Sequence, residues 1–245
     1  PFGHAGEEVL NKCMKRYGGF DHNIQTLRIV TFLENKYYKF YGLNLTIETL
    51  DGLIKHNGPV ENITSYNKIL KKNLFNNKIT FNTFPSLEAQ VAAISDDIAY
   101  NNHDLEDGLR AGLFTIQKFS SIPIITKLIN KHLKNIKNFR REIIISQIVR
   151  SLINLMVVDV INTTNKNLRL CSPQSINDIY KQDRLIVDFS VKMKKIDKEI
   201  KEFLKRNMYN HKKVITSANK GKRVINDLFK YLLKNPKKYI SETKF

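Results

Sequence analysis

Asp96, Tyr100 and Asp104 recur at a step of four, which stacks the three side chains on one face of an α-helix that runs through them. Together with Asp97 and Asp107, such carboxylates could offer oxygen ligands to a hard or borderline divalent cation. The same spacing also describes a solvated polar face with acids gathered near a helix C-terminus, and spacing does not separate the two. Near the start of the chain, His4 and Glu7 lie three apart, close enough on a helix for imidazole and carboxylate to meet. A carboxylate partner raises a histidine's pKa and fixes its tautomer, as general acid–base work requires. Gly3 and Gly6 on either side let a ligand or another backbone approach. An ordinary surface pair has the same spacing. His22, Gln25 and Arg28 step by three along a second segment and could reach a phosphate together, or form the polar stripe of an amphipathic helix. No glycine-rich phosphate loop and no HxxxH or HExxH pair occurs.

The elements that must carry these residues read as helices. Ser86 follows Pro85 as an N-cap, Glu88 sits in the first turn where the dipole favours a carboxylate, and Leu87, Val91, Ile94 and Ile98 form an apolar stripe. The expected helix covers 86–102, with a short acidic turn through Asp107-Gly108. Ala5 to Tyr17 gives a helix with Val9, Leu10, Cys13 and Met14 inward, entered through a turn at Pro1–Gly3 and ended by Gly18-Gly19. Asp21 to Phe40 is apolar on more than one side (Ile24, Leu27, Ile29, Val30, Phe32, Leu33), so a well-buried helix is expected. Thr46 caps a helix that Asn57-Gly58-Pro59 stops near His56. Residues 60–84 are polar, with a short helix near 65–74 and a brief extended piece at Ile79-Thr80-Phe81. Helical pieces follow at 111–116 and 123–133. A long helix over 138–162 has Ile143, Ile144, Ile148, Leu152, Leu155 and Val158 inward. A linker is expected over 165–175, one or two helices over 176–208, and short helices at 214–218 and 223–233 before the stop at Asn235-Pro236. With no repeat and no βαβ alternation, the fold class is all-α.

The 245 residues are enough for a substantial core. A net charge of +18 with a pI near 9.8 favours polyanionic partners such as nucleic acid or nucleoside triphosphates. The charge is spread from Lys12 to Lys244 in a chain rich in Lys, Asn and Ile, a composition that AT-rich coding also produces. Cys13 and Cys171 are the only cysteines, which argues against a disulfide framework or a thiolate metal cage. The apolar stretch Ile143 to Ile161 is broken by Gln147, Arg150, Asn154 and Asp159, so it reads as a core helix of a soluble, cytoplasmic protein with no membrane partner. The sequence opens at Pro1, without Met and inside a motif, and is expected to be a fragment.

Several blocks occur in order: Pro1-Phe2-Gly3-His4-Ala5-Gly6-Glu7, Gly18-Gly19-Phe20-Asp21-His22-Asn23, Leu27-Arg28-Ile29-Val30-Thr31, Gly42-Leu43-Asn44-Leu45-Thr46, Lys55-His56-Asn57-Gly58-Pro59, Ser86 to Ala92, Asp96 to Asp104 and Asp107 to Gly112. In these the chain resembles the bacterial deoxyguanosinetriphosphate triphosphohydrolase-like family of HD-domain phosphohydrolases, strongly over 1–112 and more loosely beyond. The resemblance implies an HD-like helical core with a C-terminal helical extension. It divides the chain into 1–164, the C-terminal part of a phosphohydrolase domain, and 165–245, a helical region. It implies hydrolysis of a deoxynucleoside triphosphate, dGTP above all, to the deoxynucleoside and triphosphate, with one Mn²⁺ or Mg²⁺ held by His, His-Asp and Asp. Asp96 matches the last metal ligand, and Tyr100 and Asp104 match deoxyribose contacts, the carboxylate reading the 3′-hydroxyl. His4 and Glu7 match a catalytic dyad and His22 a further active-site histidine near the phosphates, while Gln25 and Arg28 are expected as substrate contacts on their helical spacing with His22. The other metal ligands lie upstream of the Pro-Phe-Gly-His block, so this chain alone is expected to hold metal weakly or not at all and to have low or no activity. Homo-oligomers are expected by the same resemblance. The alternative is a non-catalytic module for nucleotide or single-stranded nucleic-acid binding, or for oligomerisation.

Overall fold

In the computed structural model, residues 2–61, 63–72, 79–136 and 140–239 are described. The helices are α1 (Gly3–Met14), α2 (His22–Arg28), α3 (Ile47–Ile54), α4 (Thr64–Lys72), α5 (Leu87–Arg110), α6 (Ile116–Phe119), α7 (Pro123–Ile136), α8 (Arg141–Cys171), α9 (Ile176–Tyr180), α10 (Val191–Leu204), α11 (Lys212–Lys234) and α12 (Pro236–Tyr239). No strand occurs among the described residues, where pairing is limited to a bridge between Asn35 and Gly42. The all-α expectation holds. Pro1, the end of the expected helix near 65–74 and the start of the one at 138 lie outside the described residues. The chain forms two compact units, one from 1–44 with 212–245 and one from 45–211.

In the first unit α1 packs along α11, and glycines explain how closely. A Cβ on Gly6 would stand 2.5 Å from Phe2 Cβ and 2.7 Å from Ile225 Cδ1, and one on Gly221 would stand 2.7 Å from Phe2 Cδ1. The Phe2 ring fills the space that both glycines leave. Gly221 therefore sits inside one continuous α11, where two short helices were expected. The α1 end is as expected, with Gly18 at φ 97° after the 3₁₀ turn Lys15–Tyr17. The expected helix 21–40 is cut short. α2 widens into a π-turn over Ile29–Leu33, and Glu34 then turns extended. The chain folds back so that Leu43 N–H donates to Val30 O at 2.8 Å, with Gly42 against the backbone of Val30 and Thr31. Of that segment's apolar residues only Leu27 is buried, while Ile29 and Phe32 are exposed.

The second unit holds the main core. Ile98, Leu105 and Leu109 of α5 meet Ile125 of α7, Ile145, Ile148, Leu152 and Met156 of α8, and Ile200 and Leu204 of α10. Phe203 stands edge-on to Phe114 at 4.9 Å between centroids and 5.4 Å from Phe119. Ser86 caps α5 as expected, accepting from Ala89 N–H at 3.3 Å. The helix then runs past the expected acidic turn to Arg110. Gly108 is buried in it because the Phe114 ring leaves no room: a Cβ there would be 2.3 Å from Phe114 Cε1. α8 likewise runs through the expected linker to Cys171 and ends where Ser172 takes the left-handed conformation, φ 39°. On α8, Ile143 and Val158 face outward rather than inward. α8 is long and apolar enough to cross a membrane by composition, but it contributes Ile144, Ile145, Ile148, Val149 and Leu152 to this core.

Candidate functional site

The expected site residues divide between the two units. In the first, Asp21 caps α2 by accepting from the Asn23 and Ile24 N–H groups at 2.8 and 3.0 Å, which points the first residue of the helix, His22, at α1. Glu7 meets it there. One oxygen, Oε1, accepts from His22 Nδ1 at 2.7 Å and from His22 backbone N–H at 3.0 Å. The expected partner, His4 Nδ1, is 3.6 Å from Oε2 and its side chain is 90% exposed. His22 is thus the principal partner of Glu7, with His4 edge-on to it at 6.3 Å. A carboxylate only accepts, so Nδ1 of His22 carries the proton and Nε2 is left as the proton-exchanging atom. Partial burial raises the Glu7 pKa, but the His22 ring, backbone and charge, with a further hydrogen bond from His4, outweigh it and hold the carboxyl below its ordinary value. Arg28 Nη1 lies 3.5 Å from Gln25 Oε1 one turn along α2.

In the second unit the unbroken α5 keeps Asp96, Tyr100 and Asp104 on one face, as the spacing requires. Asp96 is exposed and lines a cavity of about 630 Å³ between α3 and α5. Thr49, Gly52, Leu53 and His56 form one wall and Ala89, Ala92 and Ala93 the other. At Gly52 the two helices approach closely: a Cβ there would meet Ala89 Cβ at 3.0 Å. Tyr100 is exposed, and Asp104 is half-buried, accepting a hydrogen bond from the Tyr209 hydroxyl. Asp97 turns to another partner, Lys201 Nζ at 3.2 Å, which also pairs with Asp197 at 2.9 Å. Burial pulls Lys201 down, but these two carboxylates hold it above its ordinary value.

Three residues went unread as participants in the sequence. Tyr209 is brought to Asp104 across 105 positions, a contact that no local pattern encodes. His56 lines the same cavity as Asp96. Its Nδ1 donates to Leu53 O at 2.8 Å, and its Nε2 accepts from Asn57 Nδ2 at 2.9 Å. Lys55, beside it, is buried against Asp51 and Thr83. The Lys55-His56-Asn57-Gly58-Pro59 block holds the signal, but in the sequence it reads as a helix stop and as part of the family resemblance, with no role given to Lys55 or His56. Among the described residues, no group of three His, Cys, Asp or Glu side chains is arranged to hold a metal ion. Asp96 with its neighbours does not by itself fit a divalent cation.

Residues 187–244 match a family model described as a phosphohydrolase-associated domain. Over 99% of its length the chain is 52% identical to a protein of Pelagibacter ubique (strain HTCC1062), covering 65% of that protein. It is 42% identical over 96% of its length to a protein of Parvibaculum lavamentivorans, covering 61%. A protein of Bartonella henselae is 44% identical over 96% of the chain, which covers 60% of it. Each of the three is named deoxyguanosinetriphosphate triphosphohydrolase-like protein. The chain spans about three fifths of the length of these relatives.

Proposed function

We propose that this chain belongs to the deoxyguanosinetriphosphate triphosphohydrolase-like family, and that the protein it represents hydrolyses a deoxynucleoside triphosphate, dGTP first, to the deoxynucleoside and triphosphate. The observation that carries the reading is α5, which keeps Asp96, Tyr100 and Asp104 on one unbroken helical face with Asp96 at a cavity wall. In this reading Asp96 is a metal ligand for Mn²⁺ or Mg²⁺, Tyr100 lies against the deoxyribose and Asp104 accepts from its 3′-hydroxyl. Gln25 and Arg28 contact phosphate. His4, Glu7 and His22 carry the proton chemistry: Glu7 fixes the His22 tautomer through Nδ1, so Nε2 can take a proton from a water or return one to a leaving oxygen. In this reading Asp96 is one ligand of several, and the chain alone is of low or no activity because one carboxylate binds a cation weakly. The match at 187–244 supports treating 165–245 as a helical region distinct from a phosphohydrolase domain over 1–164. A cytoplasmic homo-oligomer completes the reading.

The test is triphosphate release from dGTP by the full-length protein with Mn²⁺ or Mg²⁺, beside Asp96→Asn. Release that the variant lacks is expected, and no release under either metal would refute the assignment.

A second reading, single-stranded nucleic-acid binding, is favoured by one observation. Lys36 and Lys39 alternate with Tyr37, Tyr38, Phe40 and Tyr41 in an exposed loop, the mix of stacking surface and charge that such binding uses. Oligonucleotide affinity falling steeply with salt supports it, and a flat response refutes it.

A further inference from the structure

Asp104, in the site as proposed, already has a hydroxyl. The Tyr209 phenol donates to its Oδ2, so a side chain of the protein stands where a sugar hydroxyl is expected to bind. Both groups are partly withdrawn from solvent. Burial raises the Asp104 pKa, the Tyr209 bond lowers it and the Asp107 charge raises it again, leaving the carboxyl above its ordinary range. A carboxylate in that setting loses stability when left without a donor. Burial and the Asp104 bond push the Tyr209 phenol well up, so it remains a donor.

Tyr209 is mounted on an irregular turn of helix. It is the last residue of a π-turn, Lys205–Tyr209, that continues α10 and is closed by Asn210 N–H on Lys205 O at 3.1 Å. A π-turn holds one residue more per hydrogen-bonded ring than the α-helix it extends, and such turns recur at functional sites. Tightening the turn shifts Tyr209 without unfolding α10, and the ring, 38% exposed, has solvent to move into.

We propose that Tyr209 is a specificity-determining residue that competes with the substrate's 3′-hydroxyl for Asp104, holding the carboxylate until that hydroxyl replaces it. The inference rests on the reading of Asp104 as the sugar contact. The exchange trades one hydroxyl for another and keeps Asp104 satisfied. A sugar without a 3′-hydroxyl has nothing to exchange and leaves the Tyr209–Asp104 bond standing.

The experiment measures binding of deoxyguanosine and 2′,3′-dideoxyguanosine to this chain by NMR titration, using the unmodified protein, Tyr209→Phe and Asp104→Asn. Tyr209→Leu serves as a second variant should phenylalanine disturb folding, checked by far-UV circular dichroism. Removing the competing phenol is expected to tighten deoxyguanosine about three- to tenfold, the scale of one hydrogen bond, with dideoxyguanosine unchanged. Suppose the unmodified protein prefers deoxyguanosine and Asp104→Asn abolishes that preference, while Tyr209→Phe binds it no tighter. The competition is then overturned and the Asp104 reading survives. If neither nucleoside binds, or both bind alike in all proteins, the Asp104 reading fails and the competition fails with it.

Discussion

Lys55→Met tests the ion pair beside the α3–α5 cavity. Lys55 is 1% exposed, with Nζ 2.6 Å from Asp51 Oδ1, 2.7 Å from Thr83 Oγ1 and 5.1 Å from the centre of the Tyr180 ring. Methionine keeps most of the volume and removes the charge, leaving Asp51 buried with a second oxygen, Oδ2, that has no partner even now. Breaking a buried pair from one side costs about 3–5 kcal/mol, a large share of the roughly 5–15 kcal/mol that holds a domain together. Burial already raises the Asp51 pKa against the pull of Lys55, so without the lysine the carboxyl takes up a proton more readily. That uptake places the expected loss toward the lower end, about 3 kcal/mol. The double variant Asp51→Leu/Lys55→Met removes both charges and should recover most of it, to within ~1–2 kcal/mol of the parent. The chain has no tryptophan, so urea unfolding followed by far-UV circular dichroism at pH 7 is the assay. A single variant losing less than about 1 kcal/mol, or a double variant less stable than the single, would refute the argument.

Gly108→Ala forces a methyl against the Phe114 ring and should lower stability by about 1–3 kcal/mol, read as a drop in the thermal midpoint; an unchanged midpoint would mean that the ring can move aside. The Glu7 carboxyl titrates below its ordinary value in the folded protein, so its contribution is present above that ordinary value and is lost as pH falls through the lowered folded one. Stability measured from pH 6 to pH 3 should therefore fall less steeply in Glu7→Gln than in the parent, and parallel curves would count against the Glu7–His22 bond.

Local chemistry made much of the fold legible. Ser86, Thr46 and the pair Gly18-Gly19 act where their backbone hydrogen-bonding and left-handed preferences place them. The errors share a cause. Gly108 reads as part of a turn and the stretch holding Gly221 as a gap between helices, yet each glycine lies inside a helix where a phenylalanine, Phe114 or Phe2, fills the space a side chain would take. The apolar run after Leu27 promised a long helix, but the backbone of Val30 and Thr31 is taken by the returning Gly42 and Leu43. The candidate site divided in the same way. The α5 row follows from periodicity alone, whereas the Tyr209 contact and the preference of Glu7 for His22 over His4 depend on tertiary approach.

The pairing of α1 with α11 sets an order of events during synthesis. The 167 residues from 45 to 211 separate the two halves of the first unit in sequence. At about 5–20 residues per second, the ribosome leaves α1 without its partner for roughly 10 to 30 seconds. Val9, Leu10 and Met14, half-buried once α11 arrives, are open to chaperones or to misassembly throughout that interval, while the second unit can already fold. Slower translation of the second unit should therefore lower the yield of assembled first unit in particular.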